Sequence, residues 1–164
     1  MGRYPLVCSG ETYRYDCSGL VEAIYARAGR PVAGSTRELY ERSIDLGVTH
    51  RNKRPSPGDL AFFDDTYDRN GNGRLDDDLS HVAVVESVDD DGTITMVHKG
   101  SKGVVRLYMN LHTPDVHSED GEILNSYLRA QRQKDPRGTE YLAGELWRGF
   151  SSLWAADEGL VMEF

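Results

Sequence analysis

The chain is poor in cysteine: Cys8 and Cys17 are the only two among 164 residues. Two thiols make no disulfide framework, and a bridge between them is not expected, since it would block the more reactive of the pair. Long apolar runs are missing too, and nothing approaches the length needed to cross a bilayer. Positive charge is scarce, with 19 Lys and Arg against 27 Asp and Glu and a net charge of −8. That balance argues against a nucleic-acid partner held by phosphate attraction. Internal repeats, low-complexity tracts and a recognisable signal peptide are all absent. Because the chain starts abruptly, a leader or upstream segment is expected to precede it, with a secreted or cell-envelope location. What remains is ordinary globular composition, 38% hydrophobic and 28% charged, long enough for one domain over 1–164 with a sizeable core.

The most informative stretch is Asp16-Cys17-Ser18-Gly19-Leu20-Val21. Leu20, Val21, Ile24, Tyr25 and Ala28 recur at helical spacing, which predicts a helix over about 17–28 with one buried face. Asp16 is a good N-cap and Gly29 a good stop. Cys17 then sits in the first turn, where unpaired N–H groups and the positive dipole end favour a thiolate and can hold an oxyanion. Gly19 leaves room for close approach by substrate or a facing strand. A buried structural cysteine is the alternative, and it loses ground only if suitably placed histidines follow.

Residues 1–15 read as an irregular lead-in. Ser35 caps a second helix over 36–45, with Glu38 completing a capping box. A polar loop spans 47–58. Asp59-Leu60-Ala61-Phe62-Phe63 reads as a buried strand, and His81 to Val88 as a stronger one. A turn over 89–92 leads to a partner strand over 93–98, and a further strand covers 104–109. Short connections favour an antiparallel sheet, and helices followed by consecutive strands make an α+β chain. The segment 110–122 reads as loop. From Tyr141 to Trp154, Leu142, Leu146, Phe150, Leu153 and Trp154 fall on one helical face, so a C-terminal helical extension covering the core is expected. His50, His112 and His117 lie in polar stretches and are expected to be surface residues without a role.

A thiol hydrolase needs a thiolate, a base beside it, and a group that orients the base. His81 opens one strand of the hairpin and His98 closes the other, so both fall at one edge of the sheet. There the N-terminus of the cysteine helix can meet them. Cys17 is then the candidate nucleophile, His81 the base, and His98 the acceptor that sets the tautomer of His81.

Asp16-Cys17-Ser18-Gly19-Leu20-Val21, Pro57-Gly58-Asp59-Leu60-Ala61-Phe62-Phe63, Ser80-His81-Val82-Ala83-Val84-Val85, and Met96-Val97-His98 before Gly103-Val104-Val105 come in the order of signature blocks. Over about residues 4–111 the chain resembles the NlpC family of bacterial cell-wall cysteine peptidases. The resemblance implies a papain-like fold and hydrolysis of peptidoglycan stem peptides, typically at the D-γ-glutamyl–diamino acid bond. It also implies the roles of Cys17, His81 and His98 given above, with Tyr4, Asp16 and Ser18 lining the substrate groove. The usual Gly-Gly beside the tyrosine is missing here, and Cys8-Ser9-Gly10 stands nearby. Residues 112–164 lie outside the resemblance. Peptidoglycan peptides are the expected partner and a monomer the expected state. An amidase or acyltransferase on the same thiol fold, and a catalytically silent calcium-stabilised binding module, are the alternatives.

Between the first strand and His81 lies an aspartate-rich insertion. From Asp68 it reads D-x-N-x-N-G-x-L, the first eight positions of an EF-hand loop. Asp68, Asn70, Asn72, the carbonyl of Arg74, and Asp76, Asp77 or Asp78 are the candidate ligands for a structural Ca2+. The twelfth position, normally a bidentate glutamate, is Leu79. No cofactor for catalysis and no metal at the thiol are expected.

Overall fold

The computed structural model describes residues 6–156. Its centre is a strand buried on both faces. Strand β4 (Leu60–Phe63) has no exposed residue, and β5 (His81–Val88) is buried over its first five. Period-two alternation divides them between two cores. Leu60, Phe62, Val82 and Val84 pack with Val21, Tyr25 and Leu39. Ala61, Phe63, Ala83 and Val85 pack on the other side with Met96, Leu107 and Phe150. β4 and β5 pair antiparallel with Phe63 opposite His81. Strands β6 (Ile94–Gly100) and β7 (Gly103–Met109) continue the sheet as hairpins.

Helix α1 (Cys17–Arg27) starts and stops close to where its caps predict. Asp16 is extended, and its carboxylate accepts from the Gly19 amide at 2.7 Å. Helix α2 (Thr36–Asp45) carries the full capping box between Ser35 and Glu38. Both helices cover the Val82–Val84 face of the sheet through Val21, Tyr25 and Leu39. The α+β, papain-like class expected from the sequence is therefore the class of the fold.

Three expectations are corrected. The lead-in is not irregular over residues 6–13: β1 (Leu6–Cys8) and β2 (Glu11–Tyr13) form a hairpin, closed by Ser9 and Gly10, both at positive φ. The polar loop 47–58 contains a short strand, β3 (Thr49–His50), and the loop 110–122 contributes to a small hairpin of β8 (Ser118–Glu119) with β9 (Glu122–Ile123). The third correction concerns the C-terminal extension. Among the extension's described residues only Ala143–Leu146 (α3) is α-helical, a single 3-10 turn lies at Leu153–Ala155, and Trp147–Ser151 between them is strand β10. It sits inside the main sheet, in the order β3-β10-β4-β5-β6-β7. The apolar spacing that suggests a helix is satisfied differently. The backbone edge of β4 pairs with β10, Phe150 opposite Ala61, and Gly149 is a poor helix former at the point of change. Phe150 is fully buried, so the extension is core rather than cover.

Candidate active site

The two histidines come together as their strands dictate. In β5 and β6, Val84 faces Val97, so one further step sets His98 opposite Ala83 and diagonal to His81. His81 Nε2 and His98 Nδ1 lie 2.8 Å apart with the rings nearly perpendicular. Both rings are buried. Burial pushes His81 down to about 3, helped by His98 and the ammonium of Lys99. It pushes His98 down to about 4, again with Lys99 contributing. Both imidazoles are therefore neutral at neutral pH, and one N–H is shared between Nε2 and Nδ1. Gly100 makes this geometry sterically possible. A Cβ built there would lie 2.9 Å from His98 Cε1.

Cys17 is the first residue of α1 and is half-buried. Asp16 caps Gly19, while the amides of Cys17 and Ser18 belong to the first turn and have no acceptor within the helix. The polar neighbour of the thiol is the Thr36 hydroxyl at 3.5 Å, at the start of α2. Helix α1 packs directly on β5 and β6, the strands that carry the histidines. Cys17 belongs to the cluster containing Val82, whereas His81 lies beside Phe63 on the other face, its ring centroid 6.1 Å away. The histidine pair thus stands at the N-terminal end of β5, not under the helix. Cys8 and Cys17 are both free, as expected.

Of the residues proposed to line a substrate groove, Asp16 and Ser18 are tied to each other and to Arg14. Ser18 Oγ donates to Asp16 Oδ1 at 3.2 Å and accepts from Arg14 Nη2 at 3.1 Å. Arg14 also pairs with Glu22 at 2.9 Å, and Glu22 accepts from the Gly34 amide. Asp16 keeps a half-exposed carboxylate, while Ser18 is buried. Tyr4 lies outside the described residues. Gly19 is required, though by the chain itself: a Cβ there would collide with the Arg14 carbonyl oxygen. The close approach anticipated at this glycine is made by the residues leading into the helix.

Sequence reasoning missed several participants. Thr36 reaches the thiol only through the fold. Lys99 donates to the Gly100 carbonyl at 2.8 Å and sits 4.5 Å over the Tyr15 ring, which links the strand end to the approach of α1. Its position directly after His98 was the one available signal. His50 is not idle: it bonds the buried carboxylate of Asp59 at 2.8 Å. Asp59 also accepts from the Ser56 amide, Ser152 Oγ and Trp154 Nε1, fastening the C-terminal segment to the start of β4.

In the aspartate insertion, Asn70, Asn72 and Asp76 form one hydrogen-bonded group. Asp68 Oδ2 accepts from the Gly73 amide at 2.8 Å, and Asn72 Nδ2 donates to Asp76 at 2.7 Å. The Arg74 amide donates to Asn72 Oδ1. Asp77 turns inward and is buried, whereas Asp78 faces Arg148, 3.9 Å away.

A helix-borne cysteine packed against an antiparallel sheet that presents a buried histidine pair defines a papain-like α+β domain. The chain belongs to the CHAP domain family, whose model matches residues 8–100, more than half of the chain. CHAP domains are usually hydrolases acting on peptidoglycan, either amidases or peptidases. No curated protein and no solved structure matches the chain. The family shown is thus the CHAP domain, and the resemblance to the NlpC family agrees with it at the level of papain-like cell-wall hydrolases.

Proposed function

We propose that this domain is a cysteine endopeptidase of peptidoglycan stem peptides, with Cys17 as nucleophile, His81 as base and His98 as positioning residue. The observation that carries the reading is the 2.8 Å contact of His81 Nε2 with His98 Nδ1. If Nε2 donates in that bond, Nδ1 of His81 presents a lone pair on a ring that burial keeps neutral. On this reading the thiol, on the first residue of α1, must meet this nitrogen around the N-terminal end of β5. His81 Nδ1 takes the thiol proton as sulfur attacks the scissile carbonyl, and the amides of the first turn of α1 hold the oxyanion. The same proton then passes to the departing amine as the C–N bond breaks, leaving a thioester. Water, deprotonated by His81, attacks the thioester, and the carboxylic acid leaves with the thiol restored. The D-γ-glutamyl–diamino acid bond is the proposed target. The half-exposed carboxylate of Asp16 offers a partner for a substrate ammonium group. The setting is the cell envelope or the secreted fraction, and the domain acts as a monomer.

The test is digestion of purified peptidoglycan followed by mass spectrometry of the fragments. Cleavage inside the stem peptide supports the reading, whereas release of whole peptides from the glycan reassigns the domain as an amidase. Cys17→Ala should lose at least about a thousandfold in rate, Cys8→Ser should keep wild-type activity, and His81→Ala should lose more than His98→Ala. An active Cys17→Ala overturns the nucleophile. A wild-type chain with neither hydrolysis nor a reactive Cys17 thiol would be a binding module.

A further inference from the structure

The aspartate insertion contains two buried carboxylate oxygens without a partner: Asp68 Oδ1 and Asp77 Oδ2. Asp77 is only 4% exposed. An orphaned anionic oxygen at such depth costs free energy unless a cation meets it. One hydrogen bond ties Asp77 to the start of the loop. Asp77 Oδ1 accepts from the Arg69 amide at 3.1 Å, the peptide that follows Asp68, which holds this carboxylate beside the start of the loop while Oδ2 stays buried without a partner. Asp68 meanwhile spends only Oδ2 on the Gly73 amide.

We propose that residues 68–77 form a calcium site, with Asp68, Asn70, Asn72, the carbonyl of Arg74 and Asp77 as direct ligands and Asp76 acting through water. The positions follow the oxygen-rich loop pattern, in which the first, third, fifth and seventh places ligate and the ninth often does so through water. The missing glutamate of the twelfth place has a structural explanation. Leu79 is buried in the core beneath the helices, at φ 51°, and is not available to the loop. Asp77 closes the ring early instead. Among the described residues no three His, Cys, Asp or Glu side chains converge on one point. The site is accordingly of mixed donors, with two direct carboxylates completed by amide and backbone oxygens. At present Asn70 and Asn72 turn their amide nitrogens to Asp76. Their amide oxygens accept the Asn72 and Arg74 backbone amides at 3.2 and 2.9 Å, and each keeps a second lone pair for a cation. Asp78 is excluded, since its carboxylate is directed at Arg148. The ring is anchored on both sides: Asp77 N donates to Asp65, Leu79 N to Asp64, and Thr66 bonds Ser80, the residue before His81.

The experiment uses the full chain stripped of metal with chelator and titrated with Ca2+ or Mg2+ by calorimetry and thermal melting. Calcium should bind and raise Tm by roughly 5–10 °C at a hundredfold excess over Kd, and magnesium should do much less. Asp68→Asn and Asp77→Asn should each weaken calcium at least about tenfold, while Asp78→Asn should leave it within about threefold. Since Asp77→Asn preserves shape, it keeps the comparison open if the Asp68 variant does not fold. Absence of calcium binding to the folded wild-type chain, equal response to magnesium, or a wild-type response in Asp77→Asn would overturn the site.

Discussion

Gly100→Ala separates the geometry of the histidine pair from the stability of the fold. Gly100 ends β6, and its φ lies outside the left-handed region, so alanine fits the backbone. The obstacle is the His98 ring, 2.9 Å from the new Cβ at Cε1 and 3.3 Å at Nε2. Relaxed carbon contacts need about 3.5–4.0 Å, so the ring must retreat by roughly 0.6–1 Å. The His81–His98 bond, 2.8 Å long, then stretches past hydrogen-bonding range. Losing one neutral hydrogen bond costs about 0.5–1.5 kcal/mol, offset by about 0.4–1 kcal/mol because alanine restricts the unfolded chain. Stability should therefore move by no more than about 1 kcal/mol. Activity should fall about 10- to 1000-fold, because His81 loses the acceptor that fixes its tautomer and orientation. The assay is kcat/KM on a stem peptide beside a thermal melt of the same preparation. A folded Gly100→Ala with activity within about threefold of wild type would refute the positioning role of His98.

Acid should destabilise the domain earlier than its carboxylates require. His81 is held near 3 and His98 near 4 in the folded state, against 6.5 in the unfolded chain. As pH falls below 6.5 the unfolded state takes up protons that the folded state refuses, so stability is complete above that pH and declines toward pH 4. At pH 5 the loss should be about 2–4 kcal/mol relative to pH 8, read from urea midpoints, and a flat profile would mean the rings are solvated. Gly19→Ala should lower stability by more than about 3 kcal/mol or prevent folding, because the clash is with the Arg14 backbone carbonyl, which cannot swing aside. A Tm within a few degrees of wild type would show that the entry to α1 is looser than this contact implies.

Local chemistry carried much of this molecule. The cap at Asp16, the capping box at Ser35 and Glu38, and the alternation of β4 and β5 are short-range features, each written in four to eight neighbouring residues. The pairing of His81 with His98 was legible as well, because a short turn leaves a hairpin few registers. The sequence also marked Cys17 as exceptional through its place behind an N-cap. Tertiary structure alone decided the rest. Whether Leu142, Leu146 and Phe150 face one side of a helix or enter a sheet depends on the open edge of β4, which is some 80 residues away in the chain. Thr36 approaches the thiol because two helices share one face of the sheet, and Lys99 reaches Tyr15 because β6 ends beside the entry to α1. In the aspartate insertion, composition announced an oxygen-rich loop. Only the fold turned Asp77 inward, sent Asp78 to Arg148 and buried Leu79, since side-chain direction there is set by the core beneath and by an arginine from the far end of the chain.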